Sequence, residues 1–328
     1  MIACLDLSSF TSGTATKQGI FCSQLIEALG RHGFVKLTNH GLSEADIKEV
    51  FCWNEKLFGL PPDVKAKAAH PAQPNPHRGL SHVGQEKLSS VSDYEKGNRD
   101  ARKVITDIKE SFDQGSALDT LYPNIWVPEE HLIGFRAFME GFYVKCHSVH
   151  MQILKALAAG LGRDAEFFCT LCDQNTSELR LNHYPAVSSS TLIAGCNRIS
   201  PHTDFGTVTL LFQDSVGGLE VEDLSQGGAF IPVSAVSSME MILNVGDCLQ
   251  RWTNDKLRSA NHRVSLPQHL DTSGVTRIRD RYSIAYFGKP NRDVLVDTLD
   301  EFTAGAGKKY CEGMSAWEYN QAKLSRTY

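Results

Sequence analysis

The stretch PHTDFGTVTLLFQD, residues 201–214, decides how this chain folds. TVTLLFQ is rich in β-branched and apolar residues and reads as a strand, and His202 and Asp204 just before it stand two positions apart. Similar short runs surround it and break at Gly, Pro, Asn or Asp: LRLNHYP (179–185), GLEVED (218–223), AFIPVS (229–234), MILNVGD (241–247), HRVSLP (262–267) and RYSIAYF (281–287). Many short strands with turn signals between them predict a sandwich or barrel in the second half of the chain.

The first half has another character. CLDLSSF predicts a short strand, and Ile20, Leu25, Ile26 and Leu29 sit at helical spacing over 17–31, with a stop at Gly30 or Gly33. GFVKLTNHG predicts a strand; Ser43 predicts the cap of a helix reaching Pro61–Pro62. Residues 71–100 are rich in Pro, Gly, Ser and Asn and predict a long irregular loop over the pocket. A long helix is predicted from about Pro128 to Gly160 and a last one near Ala316 to Leu324. His147 and His150 share one face of the long helix, but no third ligand accompanies them, so they read as packing or surface residues.

Composition removes several function classes. Among 328 residues, 33 Lys and Arg oppose 38 Asp and Glu, for a net charge of -5 without basic clusters. Nucleic acid or an anionic membrane would want a basic face, so a small molecule is the expected partner. No run is long and apolar enough to span a membrane, and the N-terminus lacks a basic segment before an apolar run. The nine cysteines follow no regular framework and read as reduced thiols of a cytoplasmic protein. Cys169 and Cys172 form a lone CxxC with no partner pair for zinc.

The chemistry gathers on the predicted strands. Residues i and i+2 of a strand point to one side, so His202 and Asp204 can address one ion. His262 supplies a distant third ligand, giving a two-His, one-carboxylate face that suits Fe(II) with open positions. Arg281 and Ser283 share a parity, and a guanidinium fork with a hydroxyl suits a buried carboxylate. Arg180, Asn182 and Tyr184 share a parity on LRLNHYP, whereas His183 points the other way and reads as structural. Phe205 and Phe287 would add apolar walls.

These residues carry a resemblance. In GFVKLTNHG, LPPDVKAK, HRGLSHVGQEK, DIKESFD, LRLNHYP, PHTDFGTVTLLFQD, NVGDCLQRWTNDKLRSANHRV and RYSIAYF the chain resembles the Fe(II)/2-oxoglutarate-dependent dioxygenases of the isopenicillin N synthase-like branch. The resemblance implies an α+β fold, with a double-stranded β-helix (jelly-roll) core and N-terminal helices packed around it. It divides the chain into a mostly helical part (1–170), a core (171–290) and a C-terminal segment (291–328) within one compact unit. It implies iron at His202, Asp204 and His262, the far carboxylate of 2-oxoglutarate on Arg281 and Ser283, Asn182 and Tyr184 beside that co-substrate, and O₂ as oxidant.

Within the branch the chain is similar to the fungal thymine 7-hydroxylase type, with Phe205, Phe287 and Arg180 in the substrate positions. Ser177, however, stands where those enzymes carry an asparagine, and Phe205 where they carry a tyrosine. An amide edge distinguishes a pyrimidine, so its loss favours another planar ring, such as a polyketide or tropolone-like metabolite of fungal secondary metabolism. Arg180 would then meet an anionic or carbonyl group of that ring; its alternative is a structural salt bridge. A thymine or nucleobase hydroxylase, an oxidase that does without 2-oxoglutarate, and a non-catalytic jelly-roll binding protein remain the other readings.

Overall fold

The computed structural model describes residues 2–71, 77–86, 107–193, 197–267, 277–303, 305 and 307–325. In chain order its strands are β1 (Cys4–Asp6), β2 (Phe34–Thr38), β3 (Gly79–Ser81), β4 (Glu110–Gln114), β5 (Glu178–Tyr184), β6 (Val187–Ser188) and β7 (Ile199–His202). There follow β8 (Val208–Gln213), β9 (Leu219–Asp223), β10 (Ala229–Pro232), β11 (Met241–Val245), β12 (His262–Val264), β13 (Arg277–Ile278) and β14 (Arg281–Phe287). An eight-stranded sheet runs β1-β2-β11-β8-β14-β5-β4-β3, a four-stranded sheet β10-β9-β12-β7, and β13 pairs with β6. Among the described residues, the only parallel pair in the large sheet is β1 with β2.

Strand parity sorts the large sheet into two faces. Leu179 and Leu181 of β5, Leu210 and Phe212 of β8, Leu243 of β11, and Ile284 and Tyr286 of β14 join one apolar core with residues of the helices Ala15–His32, Glu44–Phe58 and Phe135–Gly160. The opposite parity faces the small sheet, where Tyr184, Phe34 and Ile242 pack with Ile199, Leu219, Val221 and Val264. Every residue of β5 is buried, because one side serves the helices and the other the space between the sheets. Burying a Leu or Phe contributes roughly 1.5–3 kcal/mol, so the helical layer fixes the outer face and leaves the inner one free for polar groups.

Local signals account for the helix ends. Ser43 and Asp46 form a capping box at the start of Glu44–Phe58. Ala15–His32 stops at Gly33, whose φ is +70° and where a Cβ would lie 2.3 Å from the Arg258 carbonyl oxygen. The long helix begins at Phe135, later than the predicted Pro128, because Gly134 adopts a φ of +85° and only a short 3₁₀ turn, Glu129–His131, precedes it. The strands expected in the second half are all present. Those at Gly79–Ser81, Glu110–Gln114, Val187–Ser188, Ile199–His202 and Arg277–Ile278 are additions, and β4 brings DIKESFD into the large sheet beside β5.

Of the predicted loop over 71–100, residues 72–76 and 87–100 lie outside the described residues. His150 is buried against Thr207 Oγ1 at 3.0 Å and His147 meets the Tyr286 hydroxyl at 3.1 Å, so both are packing residues. Cys169 and Cys172 are buried free thiols. No helix among the described residues is long and apolar enough to cross a membrane.

Candidate active site

Between the two sheets, His202, Asp204 and His262 converge. His262 Nε2 lies 3.8 Å and His202 Nε2 4.0 Å from Asp204 Oδ1. The rings of the two histidines are 4.3 Å apart, and β12 pairs with β7 so that His262 stands opposite His202. One expectation needs correcting: β7 ends at His202, so Asp204 is not carried to the ion by strand parity. It sits in the turn that follows, and that turn is clamped by the start of the helix Asp247–Trp252. Asp247 N–H donates to the Asp204 carbonyl at 2.8 Å, Cys248 N–H to Gly206 at 3.0 Å, and Gly246 N–H to Thr207 at 2.7 Å. Gly206 is required by close approach: a Cβ there would be 2.1 Å from the Gly288 carbonyl oxygen.

The donor set fits a divalent metal. His202 Nδ1 lies 2.8 Å from the Ser200 carbonyl and His262 Nδ1 3.1 Å from the Ala260 carbonyl. A carbonyl can only accept, so both rings carry their proton on Nδ1 and turn the Nε2 lone pair toward Asp204. Thr209 Oγ1 and Asn244 Nδ2 each donate to Asp204 Oδ2 at 2.6 Å, which leaves Oδ1 facing the histidines. Burial first, and then His262, holds the His202 imidazole down at about 3, so the ring is neutral at physiological pH as a ligand must be.

The cavity around this triad has two lobes, with Arg180, His202, Asp204 and Phe287 in the wall between them. The inner lobe contains Arg281, Ser283, Asn182 and Tyr184. Arg281 is 1% exposed, lies over the Tyr184 ring at 4.6 Å, and donates to Gln213 Oε1 at 2.9 Å and Ser283 Oγ at 3.4 Å. Among the described residues its Nε has no hydrogen-bond partner and its guanidinium pairs with no carboxylate. Asn182 Nδ2 and Tyr184 Oη both reach Ser283 Oγ at 3.4 Å. A buried guanidinium without a counter-ion is unfavourable unless an anionic ligand completes it.

The outer lobe differs from expectation. Phe205 and Phe287 line it. Arg180 also lines it, but its guanidinium is held by Asp113 (Nε to Oδ1, 2.8 Å) and Glu86 (Nη1 to Oε2, 3.0 Å). Glu86 also binds Lys109 Nζ at 2.6 Å. The structural salt bridge is therefore the observed state of Arg180. His77, Glu86 and Asp113 lie close enough together to suggest a second metal position, but the cation between them is Arg180 itself. Ser177 is not on the wall: its Oγ accepts from Lys289 N–H at 3.2 Å, and the next residue, Glu178, turns inward instead. Glu178 shares the parity of Arg180 and Asn182 and pairs with Lys289 and Arg78. His183 is structural, bonded to Glu110 and Asp280 at 2.8 Å each.

Sequence reasoning did not find Lys109, Asp113, Glu86, Glu178 or Lys289. Asp113 stands opposite Arg180 in the β4–β5 register, so a reading of DIKESFD as a strand would have exposed the pair. Glu178 was on the right parity and only its burial was invisible.

Fold and triad together define a non-haem iron oxygenase, and comparison with known proteins places the chain. Residues 2–129 match the N-terminal family described as non-haem dioxygenase in morphine synthesis, and residues 175–290 match the 2OG-Fe(II) oxygenase superfamily. The 2-oxoglutarate-Fe(II) type oxidoreductase ppzD of Metarhizium rileyi is 54% identical over 99% of this chain and 90% of its own. The proline hydroxylase buaE of Petromyces alliaceus is 55% identical over 99% and 98%. A full-length Neurospora crassa protein, solved in complex with alpha-KG and thymine, superposes with a TM-score of 0.87 at 34% identity, covering 100% of this chain and 97% of that one. The chain belongs to the 2OG-Fe(II) oxygenase superfamily. It is a 2-oxoglutarate-dependent dioxygenase, an oxidoreductase that uses Fe(II) and 2-oxoglutarate.

Proposed function

We propose that this enzyme oxidises a C–H bond of a small ring metabolite in fungal secondary metabolism, and that the ring is a cyclic amino acid of the proline kind. The observation that carries this reading is the charge balance of the outer lobe. Arg180 is satisfied by Glu86 and Asp113, and Lys289 by Glu178, so the wall offers buried charges of both signs rather than one free cation. A planar ring bearing one anionic group would want an uncommitted Arg180. A zwitterion, with an ammonium and a carboxylate close together, can exchange contacts with both members of such pairs. The 55% identity to a proline hydroxylase supports the same class.

His202, Asp204 and His262 would hold the iron, with Arg281 and Ser283 on the far carboxylate of 2-oxoglutarate and Asn182 and Tyr184 beside it. Bound there, the metal supplies the activation of O₂ that oxidises the substrate as 2-oxoglutarate is decarboxylated to succinate. The chain's own groups do the positioning. Thr209 and Asn244 orient Asp204, Gln213 orients Arg281, and Phe205 and Phe287 exclude water from the reacting side. The large and small sheets would be the two faces of a double-stranded β-helix within 171–290. The segments 1–170 and 291–328 pack on it as one compact unit, and the cytoplasm is its proposed place.

Succinate release with L-proline, and its conversion to a hydroxyproline, tests the substrate class. Stimulation by thymine but not L-proline would replace it with the nucleobase reading, which the likeness to the thymine-bound Neurospora crassa protein favours. Stimulation by neither, with no 2-oxoglutarate consumed, would favour a non-catalytic binding protein.

A further inference from the structure

The C-terminal helix Ala316–Leu324 puts an amide where its own packing has no use for one. Ala316, Asn320 and Leu324 recur every four residues and so share one face, and all three are buried. Ala316 packs against Cys248 and Val296, while Leu324 lines the outer lobe. Asn320 lies between them, 9% exposed, at the junction of that lobe and a side recess bounded by Lys289, Arg292 and Trp317. Its Oδ1 is buried without a hydrogen-bond partner among the described residues. A leucine would suit both the helix and the burial better, since a buried amide without a partner is unfavourable.

The helix carrying it is tied to the metal-site turn. Tyr319 Oη donates to Asp247 Oδ2 at 2.9 Å and Lys323 Nζ pairs with the same oxygen at 3.0 Å, while the Asp247 amide holds the Asp204 carbonyl at 2.8 Å. Asn320 is therefore held at a fixed place relative to Asp204, as a residue that sets substrate orientation must be.

We propose that Asn320 is a specificity-determining residue, whose amide completes its hydrogen bonds on the polar head of the substrate. An amide offers one acceptor and two donors, so it matches a group carrying an N–H beside an oxygen acceptor, as the head of a cyclic amino acid does. The inference rests on the substrate class proposed above.

The test uses the full chain with Fe(II), 2-oxoglutarate and L-proline, comparing wild type with Asn320→Leu and Asn320→Ser. For Asn320→Leu the expected result is a KM for L-proline raised about tenfold, with more succinate formed per hydroxyproline. Its KM for 2-oxoglutarate should be unchanged and its thermal midpoint equal or higher, because an unpartnered buried amide has been removed. Asn320→Ser, which keeps a donor and an acceptor, should recover part of the loss. A KM for L-proline within twofold of wild type in both variants would overturn the assignment. So would a lowered midpoint in both with coupling intact, the mark of a purely structural residue. If wild type itself fails to turn over L-proline, it is the substrate class that has failed, and the assignment falls with it.

Discussion

Asn244 donates to Asp204 Oδ2 at 2.6 Å from the neighbouring strand β11, and this bond, with that from Thr209, decides which carboxylate oxygen faces His202 and His262. Outer partners of this kind orient a ligand and tune its basicity, and losing one typically weakens metal binding by roughly 10- to 100-fold. Asn244→Leu should therefore lower Fe(II) affinity by about that factor while the protein stays folded. Titration with Fe(II) under anaerobic conditions reads it, and an unchanged affinity would contradict the orienting role.

Arg281 and Arg180 make opposite predictions, because among the described residues Arg180 is paired with carboxylates and Arg281 is not. Arg281 has no carboxylate partner among the described residues, so Arg281→Leu should leave the thermal midpoint unchanged or higher. Its KM for 2-oxoglutarate should rise by about 1.5–3 kcal/mol, roughly 10- to 150-fold. Arg281→Lys, which keeps the charge without the fork, should fall between the two.

Arg180→Leu would take from buried Asp113, at 1% side-chain exposure, its paired cation and leave Glu86, at 3%, with Lys109 as its cation. Breaking a buried pair in this way costs about 3–5 kcal/mol. The midpoint should fall in denaturation with or without 2-oxoglutarate. An Arg180→Leu protein as stable as wild type would return Arg180 to the role of a free substrate anchor.

Glu178 supplies a pH dependence. Burial alone would raise its carboxyl, but Lys289, at 2.5 Å, and Arg78, at 3.2 Å, reverse that and hold it at about 2. A carboxylate held below its unfolded value stabilises the fold above about pH 4 and loses that contribution as pH falls toward the folded value. Glu178→Gln should thus be less stable than wild type at pH 7, and the gap should narrow steadily below pH 4. Thermal midpoints at pH 7 and pH 3 measure it; an equal gap at both would show that the ion pair is not the cause.

Much of this architecture was legible in residues 178–287, because strands buried on one or both sides leave a period that survives in sequence. That period groups Arg281 with Ser283 and Arg180 with Asn182 and Tyr184, while only the family resemblance sets the two groups around one co-substrate. Asp204 shows its limit: the residue reaches the site through a turn clamped by backbone bonds from Gly246, Asp247 and Cys248, and no side-chain pattern records those. Arg180 shows another. Its partners Glu86 and Asp113 lie 94 and 67 residues away in sequence, and only the β4–β5 register and the folded approach of residue 86 bring them together. Asn320 was hidden for the same reason, since an asparagine on a helix is ordinary until its face is seen to be buried.

An iron held by His202, Asp204 and His262 would drive the oxidation of a cyclic amino acid. The decisive measurement is of succinate and hydroxyproline together, from purified wild type and Asp204→Ala with Fe(II), 2-oxoglutarate, O₂ and L-proline. Near-equal amounts of the two products are expected from wild type and neither from Asp204→Ala. Undiminished turnover in Asp204→Ala, or succinate from wild type without any hydroxyproline, would contradict it.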